Sequence, residues 1–119
     1  MAHNPEKIGS VVGTFQELYP GKKADVLFSC KWTKNVEVMA RLLIPIAEHI
    51  YLTQFINKDN PDTNRVMRKE DLLSAFEKVG LMPQWFDNPQ DAYRNVLKGE
   101  PEYLIVTGSF HLLRAIHQS

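Results

Sequence analysis

Hydrophobic residues recur at helical spacing in the first part of the chain. From Pro5 to Tyr19 they fall three and four positions apart, as on one face of an amphipathic helix. That face consists of Ile8, Val11, Val12, Phe15 and Leu18. Pro5 suits a first helical turn, Asn4 can cap it, and Pro20-Gly21 ends it. The pattern therefore predicts a helix at the start of the chain.

The rest of the chain alternates short apolar runs with amphipathic stretches. The apolar runs predict strands at 24–29, 49–55, 82–86 and 103–107. The amphipathic stretches predict helices at 34–48, 69–79 and 88–99, and a last helix from 109 through 116. Pro45 should kink or shorten the helix at 34–48, because proline has no backbone N–H. The polar stretch 56–68 reads as a long loop, and such loops are often functional.

This alternation of helices and strands predicts an α/β fold. We expect a three-layer α/β/α Rossmann-like domain, with a mostly parallel sheet and helices on both faces. The chain of 119 residues fits a single domain over 1–119. Sheets of this kind bind ligands at the carboxyl ends of their strands. The candidate binding segments are therefore 2–4, 29–35, 53–65 and 107–111.

Composition narrows the classes of partner. Lys plus Arg equals Asp plus Glu, at 14 each, so the net charge produces no strong electrostatic attraction to nucleic acid or to a membrane surface. No apolar run approaches the roughly 20 residues of a membrane span. Cys30 is the only cysteine and cannot form an internal disulfide. We therefore predict a cytoplasmic protein that binds neither nucleic acid nor membrane.

Motifs for several chemistries are missing from the sequence. There is no GxxxxGK[ST] phosphate loop, no GxGxxG and no GxSxG. A single cysteine excludes a thiolate zinc site, and no His/Cys cluster has metal-ligand spacing. We accordingly assign no catalytic residue and no metal ligand to this chain.

A few polar residues next to predicted strand ends remain as candidates. His3 and Asn4 precede the first helix, and Asn4 is either a helix cap or a ligand-binding group. Lys34 follows a strand and can pair with a carboxylate or phosphate, or remain solvated. Ser109 follows Thr107-Gly108 and can cap a helix or bind an anion there.

The two ends of the chain resemble one family. The segment AHNPEKIGSVVGTFQELYPGKKADVLFS is similar to the start of the C-terminal domain of folylpolyglutamate synthase, a member of the Mur ligase superfamily. The matching motifs are Ala2-His3-Asn4-Pro5 and Tyr19-Pro20-Gly21-Lys22. The segment LIVTGSFHLLRAIHQ resembles the family's hydrophobic-Thr-Gly-Ser-Leu-Tyr-Leu segment. In that family Asp-Gly precedes Ala-His, so we expect this chain to be an excised domain or the product of a truncated gene.

The middle of the chain carries weaker matches to the same family. Lys34 in KWTKN matches the lysine of an Asp-Lys-Asp-type turn. Thr53 and Phe55 match a Thr-x-Phe strand end, and Arg65 matches an arginine that usually follows proline. Here Asn64 stands in place of that proline, and the intervening loop is longer.

The resemblance implies an ATP-dependent, amide-forming ligase. In the family, ATP phosphorylates a folate carboxylate to an acyl phosphate, and the amino group of glutamate attacks it. The phosphate loop and the magnesium ligands belong to an N-terminal ATPase domain, so ATP and Mg would be bound mainly there. The resemblance implies that this chain is the C-terminal, glutamate ligase domain, with that domain, ATP, folate and glutamate as partners. It also implies that the chain alone is inactive.

The resemblance also assigns roles to the candidate residues. His3 and Asn4 would lie on the nucleotide side of the site. Lys34, Arg65, Thr107 and Ser109 would lie on the glutamate or acyl-phosphate side.

Two other interpretations stay open at this stage. One is a free-standing flavodoxin-like or receiver-like α/β binding module, although Asp25 lies at the wrong end of its strand for receiver chemistry. The other is an interaction domain that uses Trp32 and Trp85 as exposed anchors.

Overall fold

The fold alternates helices with strands, as the sequence predicts. A computed structural model describes residues 5–29, 35–53, 68–107 and 111–113. The helices are α1 (Pro5–Leu18), α2 (Val36–Leu43), α3 (Lys69–Lys78) and α4 (Pro89–Lys98). The strands are β1 (Ala24–Phe28), β2 (Ala47–Thr53), β3 (Gln84–Phe86), β4 (Leu104–Val106) and β5 (His111–Leu113).

The strands form one sheet in the order β3-β2-β1-β4-β5. The first four strands in this order are parallel to one another, and β5 runs antiparallel to β4. The central strand β1 is buried along its whole length, which explains why ADVLF reads as a nearly continuous apolar run. The predicted α/β class with a mostly parallel sheet is confirmed.

The prediction of a last helix from 109 to 116 is wrong at 111–113. These residues form β5 and pair with β4, with Val106 opposite His111 and Leu104 opposite Leu113. A run of two leucines fits a helical or an extended period equally well, so periodicity could not decide between them. The edge of β4 offers unpaired backbone groups, and pairing satisfies them.

The helix α2 is shorter than the predicted span of 34–48. It ends at Leu43, and the chain turns at 44–46 before β2 begins at Ala47. The backbone N–H groups of Ile44 and Ile46 hold the turn. Each donates to the carbonyl three residues earlier, at Arg41 and Leu43, in place of the four-residue spacing of an α-helix. Pro45 accounts for this stop, because it has no N–H to continue the helical pattern.

Two turns with glycine fix the ends of α1 and α3. In Tyr19-Pro20-Gly21-Lys22 the N–H of Lys22 donates to the Tyr19 carbonyl at 3.1 Å, and Gly21 has a φ of 80°. This is the arrangement of a type II turn, which needs glycine at its third position. After α3, Gly80 has a φ of 90°, and the N–H of Leu81 donates to the Phe76 carbonyl at 3.2 Å, as in a Schellman motif.

Helices cover both faces of the sheet, so the domain has three layers. On one face α1, α2 and α3 enclose the larger core, which includes Phe15, Phe28, Met39 and Phe76. On the other face α4 packs on a smaller core of Leu27, Tyr51, Ala92, Val96 and Leu104. Within the described segments, no helix is both long and apolar enough to cross a membrane.

Candidate functional site

The carboxyl ends of four parallel strands meet at one edge of the sheet. Register places Phe28 beside Leu52, Thr53 beside Phe86, and Leu27 beside Val106. Parallel α/β sheets bind ligands at this edge, where loops lead into helices. We call it the carboxyl edge, and it is the edge that the sequence predicts as the site.

Thr107 is the predicted site residue that the structure describes. It is buried just beyond β4, and its backbone N–H donates to the Leu27 carbonyl at 3.0 Å. Its hydroxyl lies 3.4 Å from the same carbonyl oxygen and donates to it. Thr107 therefore fastens the end of β4 to β1, and its hydroxyl oxygen keeps lone pairs with which to accept a hydrogen bond.

The other predicted site residues, His3, Asn4, Lys34, Arg65 and Ser109, lie outside the described residues. The same holds for Cys30, Trp32, Phe55 and the predicted loop at 56–68, apart from Arg68. Their assignments therefore stay predictions. Trp85, the other predicted anchor, is half-buried against the larger core, and its indole N–H donates to Asp87.

Thr53 ends β2 at the carboxyl edge and is only 2% exposed. Among the described residues, its Oγ1 is the buried side-chain oxygen or nitrogen that has no hydrogen-bond partner. A buried hydroxyl in this state costs about 1–3 kcal/mol relative to a satisfied one. The sequence matched Thr53 to a family strand end, but nothing in the sequence shows that its hydroxyl is left free.

The helix α4 also begins at the carboxyl edge, directly after β3. Its cap is Asn88, whose side-chain oxygen accepts from the backbone N–H groups of Gln90 at 2.7 Å and Asp91 at 3.3 Å. Two backbone N–H groups of the first helical turn, which have no partner within the helix, therefore donate to the Asn88 side chain. The second Asn-Pro of the sequence, Asn88-Pro89, therefore caps a helix.

The opposite, amino edge of the sheet carries a feature that sequence analysis missed. Asp25 is 6% exposed near the start of β1, and its carboxylate lies 2.9 Å from Nδ1 of His49. The pair borders a hollow of about 460 Å³, which Lys22, Lys23 and Tyr103 also line. The available signal was an aspartate inside an otherwise apolar strand, because a buried carboxylate needs a partner.

The Asp25 carboxylate also acts on Tyr51, which is 9% exposed. Burial, and then the negative charge of Asp25, raise the pKa of the Tyr51 phenol above its usual value of 10.0. Both causes disfavour the phenolate in the folded state.

In the described part of the chain, no group of three or more His, Cys, Asp or Glu side chains is arranged to hold a metal ion.

This pKa shift predicts a loss of stability at alkaline pH. Because the folded-state pKa lies above the unfolded one, the contribution is complete below about pH 10 and is lost as the pH rises through the folded-state value. The free energies of unfolding of the wild type and of Tyr51→Phe, measured in urea, should therefore diverge above about pH 10. The value for the wild type should fall more steeply with pH. If the free energy of unfolding falls equally with pH in the two proteins, the raised pKa of Tyr51 is contradicted.

Two solved structures share this fold. The structure of E. coli FolC, in complex with ADP and without folate substrate, matches with a TM-score of 0.69 and 20% identity, over 99% of this chain and 26% of that one. A Helicobacter pylori folylpolyglutamate synthetase matches with a TM-score of 0.58 and 15% identity, over 82% of this chain and 28% of that one.

Sequence comparison adds no relative to these. No profile of a known protein family and no curated protein matches the sequence. This chain spans about a quarter of the length of the two solved structures. It therefore has the α/β fold of one segment of the E. coli and H. pylori proteins.

Proposed function

We propose that this chain is the C-terminal domain of an ATP-dependent folylpolyglutamate synthase, which adds glutamate to folate through an acyl phosphate. One observation carries the proposal: a fold shared with FolC over 99% of the chain, in a sequence whose two ends resemble motifs of folylpolyglutamate synthase. The helix α1, which begins at Pro5, follows Ala2-His3-Asn4, and β4 ends directly before Thr107-Gly108-Ser109.

The position of α1 supports this assignment of the end motifs. The helix runs into the turn at Tyr19–Lys22, which leads to the amino end of β1. Its last part therefore lies at the amino edge, where Phe15 and Tyr19 contact Tyr103 with ring centroids 5.4 and 4.5 Å apart. The start of α1 points the other way, toward the carboxyl edge and the end of β4.

The proposal divides the site between two domains. In this chain His3 and Asn4 contact the nucleotide, while Lys34, Arg65, Thr107 and Ser109 contact glutamate or the acyl phosphate. An N-terminal ATPase domain of the same parent holds most of the ATP and its Mg, and closure of the two domains completes the site. The chain alone is inactive, because its sequence has no phosphate loop to hold a triphosphate.

A receiver-like module is disfavoured by the position of Asp25. Receiver chemistry needs clustered carboxylates at the carboxyl edge. Asp25 lies at the opposite end of β1, where its carboxylate is bound to His49. Asp59 and Asp62, which follow the predicted strand at 49–55, lie outside the described residues.

Titration of the isotope-labelled chain with L-glutamate, followed by amide shifts in NMR spectra, tests the proposal. We expect binding in the millimolar range, since half of a site binds weakly, with shifts at Ser29, Thr53 and Thr107. Amides at the amino edge, such as Asp25 and His49, should not move. A parallel titration with ADP should also shift the carboxyl edge.

The controls separate specific binding from general effects of added ions. Sodium chloride at matched ionic strength should leave the carboxyl-edge amides in place. Shifts confined to the amino edge, or no shift with either ligand, would refute the proposed function.

A further inference from the structure

Two buried threonines at the carboxyl edge differ in how their hydroxyls are satisfied. Thr107, at the end of β4, donates to the Leu27 carbonyl at 3.4 Å. Thr53, at the end of β2, is as deeply buried, but its Oγ1 has no partner among the residues that the structure describes. The fold thus uses the Thr107 hydroxyl, whereas no described residue satisfies the Thr53 hydroxyl.

An unpartnered hydroxyl is a poor choice for packing alone. On burial it gives up its hydrogen bonds to water, and here the described residues return none. Valine has nearly the same shape and would fill the position without this loss. Because most buried polar groups in proteins are hydrogen-bonded, we expect the partner of the Thr53 hydroxyl to lie outside the described residues, as a bound ligand would.

The position of Thr53 shows where that partner would come from. Its Cα pairs with that of Phe86 at the end of β3, and the preceding Leu52 pairs with Phe28 at the end of β1. Thr53 thus lies at the carboxyl end of a strand with parallel neighbours on both sides. This is the part of an α/β sheet where ligands are held.

We propose that the Thr53 hydroxyl donates a hydrogen bond to a carboxylate of the amino-acid ligand, L-glutamate, at the carboxyl edge. This inference rests on the proposed function and adds to it a binding residue. A threonine hydroxyl has one proton to donate, and an ionised carboxylate only accepts, so the two groups are complementary. The bond is also charge-assisted, which makes it stronger than one between neutral groups.

Two variants of the full chain test this role. Thr53→Val keeps the shape and removes the hydroxyl, and Thr53→Ser keeps the hydroxyl. In titrations with L-glutamate followed by NMR, Thr53→Val should raise the Kd about tenfold, as expected for the loss of one hydrogen bond to a charged group. Thr53→Ser should stay within about threefold of the wild type.

Thermal unfolding without ligand supplies a second readout. The Thr53→Val midpoint should equal or exceed that of the wild type, because the substitution removes a hydroxyl that the described residues leave unsatisfied. A valine variant that is both as stable as the wild type and weaker in binding glutamate would support the proposal. A hydroxyl that serves the fold would give the opposite pair of results.

Each contrary result has a separate meaning. A lower midpoint for Thr53→Val would show that the hydroxyl has a structural partner, and an unchanged Kd would show that glutamate does not use it. Either result overturns the role of Thr53 while the proposed function stands. If glutamate moves no carboxyl-edge amide in the wild type, the role of Thr53 fails. If ADP moves none either, the proposed function fails as well.

Discussion

Replacing Phe76 with alanine is expected to lower the free energy of unfolding by about 3–5 kcal/mol. Phe76 is fully buried in the larger core, where its ring meets that of Phe28 edge to face, with centroids 5.1 Å apart. The substitution removes this contact and leaves a cavity beneath α3. Domains of this size are stable by about 5–15 kcal/mol in total, so the loss is large. Urea unfolding followed by circular dichroism measures it.

Met82→Ala is the matched control for this prediction. Met82 is also a large apolar side chain, but it is 90% exposed, between α3 and β3. Its removal should change the free energy of unfolding by no more than about 0.5 kcal/mol. Similar losses for the two variants would show that Phe76 contributes no more to the larger core than an exposed side chain does.

The second large effect is expected at the amino edge. His49→Ala removes the described partner of the buried Asp25 carboxylate and should lower the free energy of unfolding by about 1–3 kcal/mol at neutral pH. Adding Asp25→Asn should recover part of this loss, because a neutral amide is less costly to bury than a charge. Urea unfolding of the wild type, both single variants and the double variant gives the coupling energy of the pair.

Arg41→Ala is the control for a pair in solvent. Arg41 and Glu37 form an ion pair at 3.1 Å on one face of α2, and both side chains are exposed. Breaking it should cost at most about 0.5 kcal/mol.

Additive effects of His49→Ala and Asp25→Asn would contradict the proposed coupling at the amino edge.

Local patterns in the sequence were enough to predict most of the fold. The helix α1 begins at Pro5 as predicted, since its apolar spacing, its proline and its Pro-Gly stop all agree. Pro45 correctly predicted that α2 would be short, though not that β2 would begin at Ala47. The strand β5 could not be predicted, because three residues carry too little pattern and their pairing with β4 is a tertiary contact.

The carboxyl edge of the sheet could be predicted from the sequence, but the contacts of the buried side chains could not. The carboxyl edge follows from strand order alone, and Pro89 directly after Asn88 is typical of a capped helix start. The free hydroxyl of Thr53 and the pairing of Asp25 with His49 depend on which side chains approach across neighbouring strands. Sequence spacing says nothing about such contacts, since Asp25 and His49 are 24 residues apart.

The short outer strands of the sheet have a consequence for handling the protein in solution. Both β3 and β5, which flank the described sheet, are only three residues long. An outer strand exposes unpaired backbone N–H and C=O groups with which another chain can pair. A short outer strand offers few such hydrogen bonds to an incoming strand. The sheet itself therefore resists edge-to-edge aggregation, which favours the concentrated samples that spectroscopy of weak ligands requires.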